Sequence, residues 1–136
     1  MTAWLPAALI SLFSFGLWGF FTKIALNYVD AKSALIYHTI GVLIIGCIIL
    51  YMQELKPVVA WKGVSYGLLT GLAYGVGCLF YLFAADKGKL ITVVTLTALY
   101  PLVTIVLSWL WLHETITSRQ MLGIVFSIIA IWLMSA

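Results

Sequence analysis

Apolar residues fall into five long runs, at about residues 4–26, 33–52, 64–85, 90–112 and 120–135, and polar residues gather in the four short gaps between them. A helix rises ~1.5 Å per residue and the apolar core of a bilayer is ~30 Å thick, so a spanning helix needs ~20 apolar residues. The first four runs reach that length. The fifth is shorter, and is expected to stand nearly upright or to thin the bilayer locally. The pattern predicts an all-α membrane protein of five transmembrane helices, forming one domain over residues 1–136.

The gaps carry helix-boundary chemistry. Asp30 is expected to cap the second helix, with Asn27 in the turn before it. Thr117-Ser118-Arg119-Gln120 reads as a capping box opening the fifth, a hydroxyl followed three residues later by a glutamine. Lys56-Pro57 breaks the chain after the second helix, and Gly88 suits a left-handed turn after the third.

Composition sharpens the membrane reading. Hydrophobic residues make up 65% of the chain and charged residues 8%, too few to cover a soluble domain of this size. Ten of the eleven charged side chains lie in or beside the gaps: Asp30, Lys32, Glu54, Lys56, Lys62, Asp86, Lys87, Lys89, Glu114 and Arg119. Lys23 alone lies within a run. The net charge of +3 therefore reflects lysines near lipid headgroups rather than a nucleic-acid surface. No basic stretch precedes Trp4, so the first helix is expected to remain as a span rather than a cleaved leader. Trp4, Tyr28, Tyr51, Trp61, Trp109 and Trp111 lie near predicted helix ends, at the depth of interface anchors. Cys47 and Cys78 fall near mid-helix and are expected to be packing thiols.

Inside the runs, three helices carry faces of hydroxyls and aromatic rings. The first offers Ser11, Ser14, Trp18 and Thr22, the third Tyr66, Thr70, Tyr74 and Tyr81, and the fourth Thr97, Tyr100, Pro101, Thr104 and Ser108. A hydroxyl in lipid needs a partner on a neighbouring helix, on its own backbone, or in a wet cavity. Two readings follow: interhelical hydrogen bonding, or a shared cavity for a small polar or amphipathic solute. Pro101 removes a backbone donor near the middle of the fourth run, giving either a static kink or the broken helix found at transporter sites. Gly63, Gly67, Gly71 and Gly75, four residues apart, let another helix approach closely. Lys23 either snorkels to the headgroups or supplies a counter-charge at a cavity mouth. His38 reads as a hydrogen-bonding residue before a proton relay, and His113 and Glu114 as interface residues.

The absences discriminate too. No Asp or Glu lies at mid-membrane, which disfavours proton cycling on a membrane carboxylate. No cluster suggests a metal, no glycine-rich loop a nucleotide, and no nucleophile has an adjacent base, so neither a cofactor nor an enzyme is expected.

Charge also bears on topology. One side of the membrane holds Lys56, Lys62 and Arg119, the other Lys23, Lys32, Lys87 and Lys89, so three basic residues face four. Orientation follows the difference, which is close to nothing. Either the chain inserts both ways, or a partner decides. Dual insertion of an odd number of helices lets two identical chains pair antiparallel, with the inverted symmetry that alternating access needs.

Leu17-Trp18-Gly19 with Lys23, Ala84-Ala85, Leu99-Tyr100-Pro101-Leu102, Leu112-His113-Glu114-Thr115-Ile116-Thr117 and Gln120-Met121-Leu122-Gly123, in that order, resemble one repeat of the EamA-type domain of the drug/metabolite transporter superfamily. His113 departs from the glycine usual before this glutamate, and Lys89 stands where small residues are common. The resemblance implies a ten-helix inverted-repeat fold of which this chain supplies one five-helix repeat. It also implies movement of small metabolites, often outward, across the bacterial cytoplasmic membrane, with helices 1, 3 and 4 facing the cavity.

The expected protein is thus a dimeric transporter of small organic solutes, an exporter, facilitator or exchanger working by alternating access. Ser14, Trp18, Thr22, Tyr66, Thr70, Tyr74, Tyr81, Tyr100 and Thr104 are its expected solute contacts, with Pro101 as bend and Lys23 as counter-charge. Two alternatives stand beside it: a non-transporting membrane subunit that binds a partner protein, and half of a heterodimer with a related chain.

Overall fold

The computed structural model describes residues 4–135. Its helices are α1 (Trp4–Ala25), α2 (Ala31–Met52), α3 (Trp61–Lys87), α4 (Leu90–Thr97), α5 (Tyr100–Trp111) and α6 (Ser118–Ser135). Helix is the only open-ended segment that satisfies its own backbone in lipid, so long apolar runs become helices almost by necessity. Taking α4 and α5 as one span, four segments are long and apolar enough to cross a membrane, and Ser118–Leu133 is a shorter apolar helix. Large apolar side chains face outward along all of them: Leu12 is 71% exposed and Trp61 80%, exposures suited to lipid and not to water.

Several helix ends follow from local chemistry. The Asp30 carboxylate accepts from the backbone N–H groups of Lys32 (3.1 Å) and Ser33 (3.4 Å) and from the Ser33 hydroxyl (2.6 Å), so α2 starts at Ala31, two residues before the sequence pattern suggested. Thr117 and Gln120 cap α6 reciprocally: the Thr117 N–H donates to Oε1 at 2.8 Å and the Gln120 N–H to Oγ1 at 3.3 Å. At the end of α2, the Leu55 N–H reaches back to the Leu50 carbonyl and the Glu54 N–H to that of Tyr51, both at 3.0 Å. That reversal places Glu54 and Leu55 at positive φ, 54° and 60°. His113, at φ 54°, turns the chain after α5 in the same way. Gly88 does not: no described glycine has a positive φ, and the reversal after α3 is made without the left-handed conformation expected there.

The fourth run, expected as one helix over 90–112, is two. Pro101 has no N–H to give the Thr97 carbonyl, and its ring crowds that carbonyl. The chain tightens across the break, with the Leu99 N–H on Leu96 (3.2 Å) and the Leu102 N–H on Leu99 (2.9 Å).

The chain forms two compact units, one running to Lys87 and the other starting at Gly88. In the first, α2 and α1 both pack on α3. Among its described residues the buried ones are Gly19, Ala31, Ala34, Cys78, Tyr81, Leu82 and Ala85, all from the end of α1, the start of α2 and the end of α3. The three helices are therefore packed closely at that end, where small side chains let backbones approach, and no described residue is buried toward the other. In the second unit, α4 packs on α6.

Candidate functional site

In the first unit, aromatic side chains from three helices meet beside the buried end. Trp18 on α1 lies 4.7 Å from Tyr81 on α3 and 5.9 Å from His38 on α2, measured between ring centroids. The Tyr74 hydroxyl is 3.0 Å from Nε2 of His38. One turn beyond Tyr74, Cys78 is buried against the same end. Exposure falls along α3 from 44% at Tyr74 to 8% at Tyr81, so the box is open on the Tyr74 side and shut on the other. The Tyr81 hydroxyl is buried with no hydrogen-bond partner.

Of the expected contacts, Trp18, Tyr74 and Tyr81 come together here. Thr22 is half-buried one turn beyond Trp18, while Ser14 is exposed. Tyr66 is 71% exposed. Thr70 gives its hydroxyl proton to the Tyr66 carbonyl at 2.9 Å, within its own helix. Lys23, expected as a snorkelling or counter-charge residue, is half-buried in the last turn of α1. Its ammonium donates to the carbonyl of Ala85 at 2.6 Å, at the C-terminal end of α3. Apart from chain neighbours and the backbone of α3 itself, no described atom lies within 4 Å of where a β-carbon would stand at Gly67, Gly71 or Gly75, and at Gly63 the nearest is the Ala60 side chain at 4.0 Å.

His38 is the residue that sequence reasoning left out of the site. A signal was present: Ala31, Ala34 and His38 follow at three and four residues, so the histidine continues the face of the two buried alanines.

The second unit holds a half-open groove of about 590 Å³ between α5 and α6. Pro101, Thr104 and Ser108 line one wall, Gln120, Gly123 and Ser127 the other, and Glu114 lies on the connecting segment. The volume is that of a small-ligand pocket. Tyr100, 67% exposed, does not line it. The α6 wall was not anticipated, although Gln120, Gly123 and Ser127 recur at helical spacing. Among the described residues no cluster of side chains has the make-up of a metal site.

Residues 2–136 match the EamA-like transporter family. An uncharacterized protein of Methanocaldococcus jannaschii is 31% identical over 135 residues, 98% of this chain and 96% of its own. A Synechocystis sp. protein described as an uncharacterized transporter is 36% identical over 75 residues, which are 55% of this chain and 22% of the relative. No solved structure gives a significant match.

Proposed function

The chain belongs to the EamA-like transporter family and is a multi-pass membrane protein, and we propose that it carries small organic solutes across the cytoplasmic membrane by alternating access. The observation that supports this most is the box of Trp18, His38, Tyr74 and Tyr81, open on one side and holding an unpartnered buried hydroxyl at its closed end. Rings supply contact area, and hydroxyl and imidazole groups supply orientation, the mixture a solute site needs. Thr104 and the bend at Pro101 contribute a second polar surface in the other unit.

The working transporter is a dimer of such chains. Gly67, Gly71 and Gly75 stand open, so the close helix approach they permit is available to a second copy. Nearly balanced lysines allow that copy to be inverted.

The test is access of water to the box. In protein with Cys47 and Cys78 replaced by Ala, Tyr74→Cys should react with a polar thiol reagent, and Ile44→Cys, 55% exposed toward lipid, should not. A Tyr74→Cys protein as inert as Ile44→Cys would refute a wet solute path. Reporters fused at the C-terminus, active only inside or only outside the cell, test inversion. Signal from both supports the antiparallel pair, and signal from one removes it.

A further inference from the structure

The box holds one group that no neighbour satisfies and one that can change charge. Tyr81 is 8% exposed and its buried hydroxyl has no partner. Buried polar groups are nearly always bonded, so this hydroxyl calls for a polar atom that the described residues do not supply. His38 faces Tyr74 across 3.0 Å. With Nε2 unprotonated, the imidazole accepts the phenol proton. With Nε2 protonated, it donates to the phenol oxygen, and the Tyr74 O–H turns to another acceptor. Both arrangements tie α2 to α3, so His38 can gain a proton without losing that contact.

The surroundings of His38 decide what must accompany that proton. From α1 it meets Trp18, which carries no charge. From α3 it meets Tyr74, with Cys78 and Tyr81 along the same helix face. Neither α1 nor α2 contains an acidic residue, and the one on α3, Asp86, is exposed in its last turn. The Lys23 ammonium lies on the Ala85 carbonyl, one turn beyond Tyr81. A charge taken out of water is costly unless paired. The Trp18 ring at 5.9 Å offers only a weak cation–π contact. Among the described residues of this unit no carboxylate stands in the box to neutralise an imidazolium, so the counter-charge is assigned to the solute.

We propose that the box takes a small organic anion with an apolar body, a monocarboxylate in the simplest case, together with one proton held by His38. This rests on the transporter reading and names its substrate class. The carboxylate accepts from the Tyr74 and Tyr81 hydroxyls, and the Trp18 and Tyr81 rings pack on the apolar body. The proton binds the free imidazole nitrogen from one side and leaves it on the other with the anion, so the loaded box is neutral and the one bond formed and broken is that N–H. Entry is from the Tyr74 side, where exposure is greatest.

The chain has two histidines, His38 and His113, so a His113→Gln protein labelled with nitrogen-15 histidine in nanodiscs reports His38 alone. The probes are benzoate and propionate, with benzylamine as the cationic control. At about pH 7, where an imidazole is mostly neutral, either carboxylate should move the His38 signals to their protonated positions. Binding should tighten about tenfold for each unit that pH falls, until His38 is protonated in the free protein. His38→Gln should abolish that pH dependence, and Tyr74→Phe should weaken binding about tenfold while His38 still titrates. The proposal is overturned if neither carboxylate moves His38, if benzylamine acts as they do, or if the pH dependence survives in His38→Gln. Labelling of Tyr74→Cys requires neither an anion nor a proton. Positive labelling with no carboxylate response removes this proposal and keeps the transporter.

Discussion

Nζ of Lys23 donates to the carbonyl oxygen of Ala85 across 2.6 Å, joining the last turn of α1 to the last turn of α3. The last carbonyls of a helix lack intrahelical donors and carry partial negative charge, so a half-buried ammonium is well placed there. The contact closes the end of the unit where Gly19, Cys78, Tyr81 and Ala85 are buried, one turn from the Trp18–Tyr81 contact. Lys23 thus helps to set the distance between the helices that carry Trp18 and Tyr81.

Lys23→Met keeps the length of the stem and removes the donor. It should lower stability by about 1 kcal/mol, the scale of interhelical polar contacts in membranes. Unfolding in mixed micelles with increasing sodium dodecyl sulfate measures this. Stability equal to the parent protein would show that the ammonium contributes nothing at this joint.

His113 and Glu54 both sit at φ 54°, where a β-carbon is strained and glycine is not. Glycine costs more conformational entropy on folding, which offsets part of the gain. His113→Gly and Glu54→Gly should each stabilise by about 0.5–1 kcal/mol, read as a rise in melting temperature in detergent. A loss on His113→Gly would mean that its side chain makes a contact worth more than the strain.

The Ser33 hydroxyl and the backbone N–H groups of Ser33 and Lys32 hold the Asp30 carboxyl below its ordinary value. A depressed carboxyl contributes stability in full above the ordinary value of 3.8, and that contribution is lost as pH falls through the lower folded value. Acidification should therefore destabilise the start of α2. Asp30→Asn, which caps without titrating, should remove this part of the acid sensitivity, and Ser33→Ala should reduce it. Melting temperature against pH, compared among the three proteins, carries the test. An unchanged acid limb in Asp30→Asn would assign it to other groups.

Pro101→Ala restores an N–H opposite the Thr97 carbonyl. It should join α4 and α5 into one helix, slow amide exchange at residues 98–101, and raise helix stability by about 1–3 kcal/mol. Solute transport should fall, because the groove between α5 and α6 is built around the bend. Unaltered transport with slowed exchange would separate the bend from function.

The sequence alone determined where the helices lie, because in lipid every backbone group must be satisfied within its own segment and apolar length becomes helix. It determined the caps at Asp30 and Thr117, whose hydrogen bonds span three residues or fewer. It also carried Trp18, Tyr74 and Tyr81 as a set of rings on two helices, without their meeting point. Tertiary structure decided that His38 bonds Tyr74, that Lys23 closes on Ala85 and that α6 supplies a groove wall, whereas the division of the fourth run at residues 98–99 follows locally from Pro101. In a soluble helix the apolar face marks what packs inward. Here lipid and protein are equally apolar, so Leu, Ile and Phe point both ways. The packing face is marked only by sparse small and polar residues such as Ala31, Ala34 and His38, whose partners lie dozens of positions away and are fixed only when the helices meet.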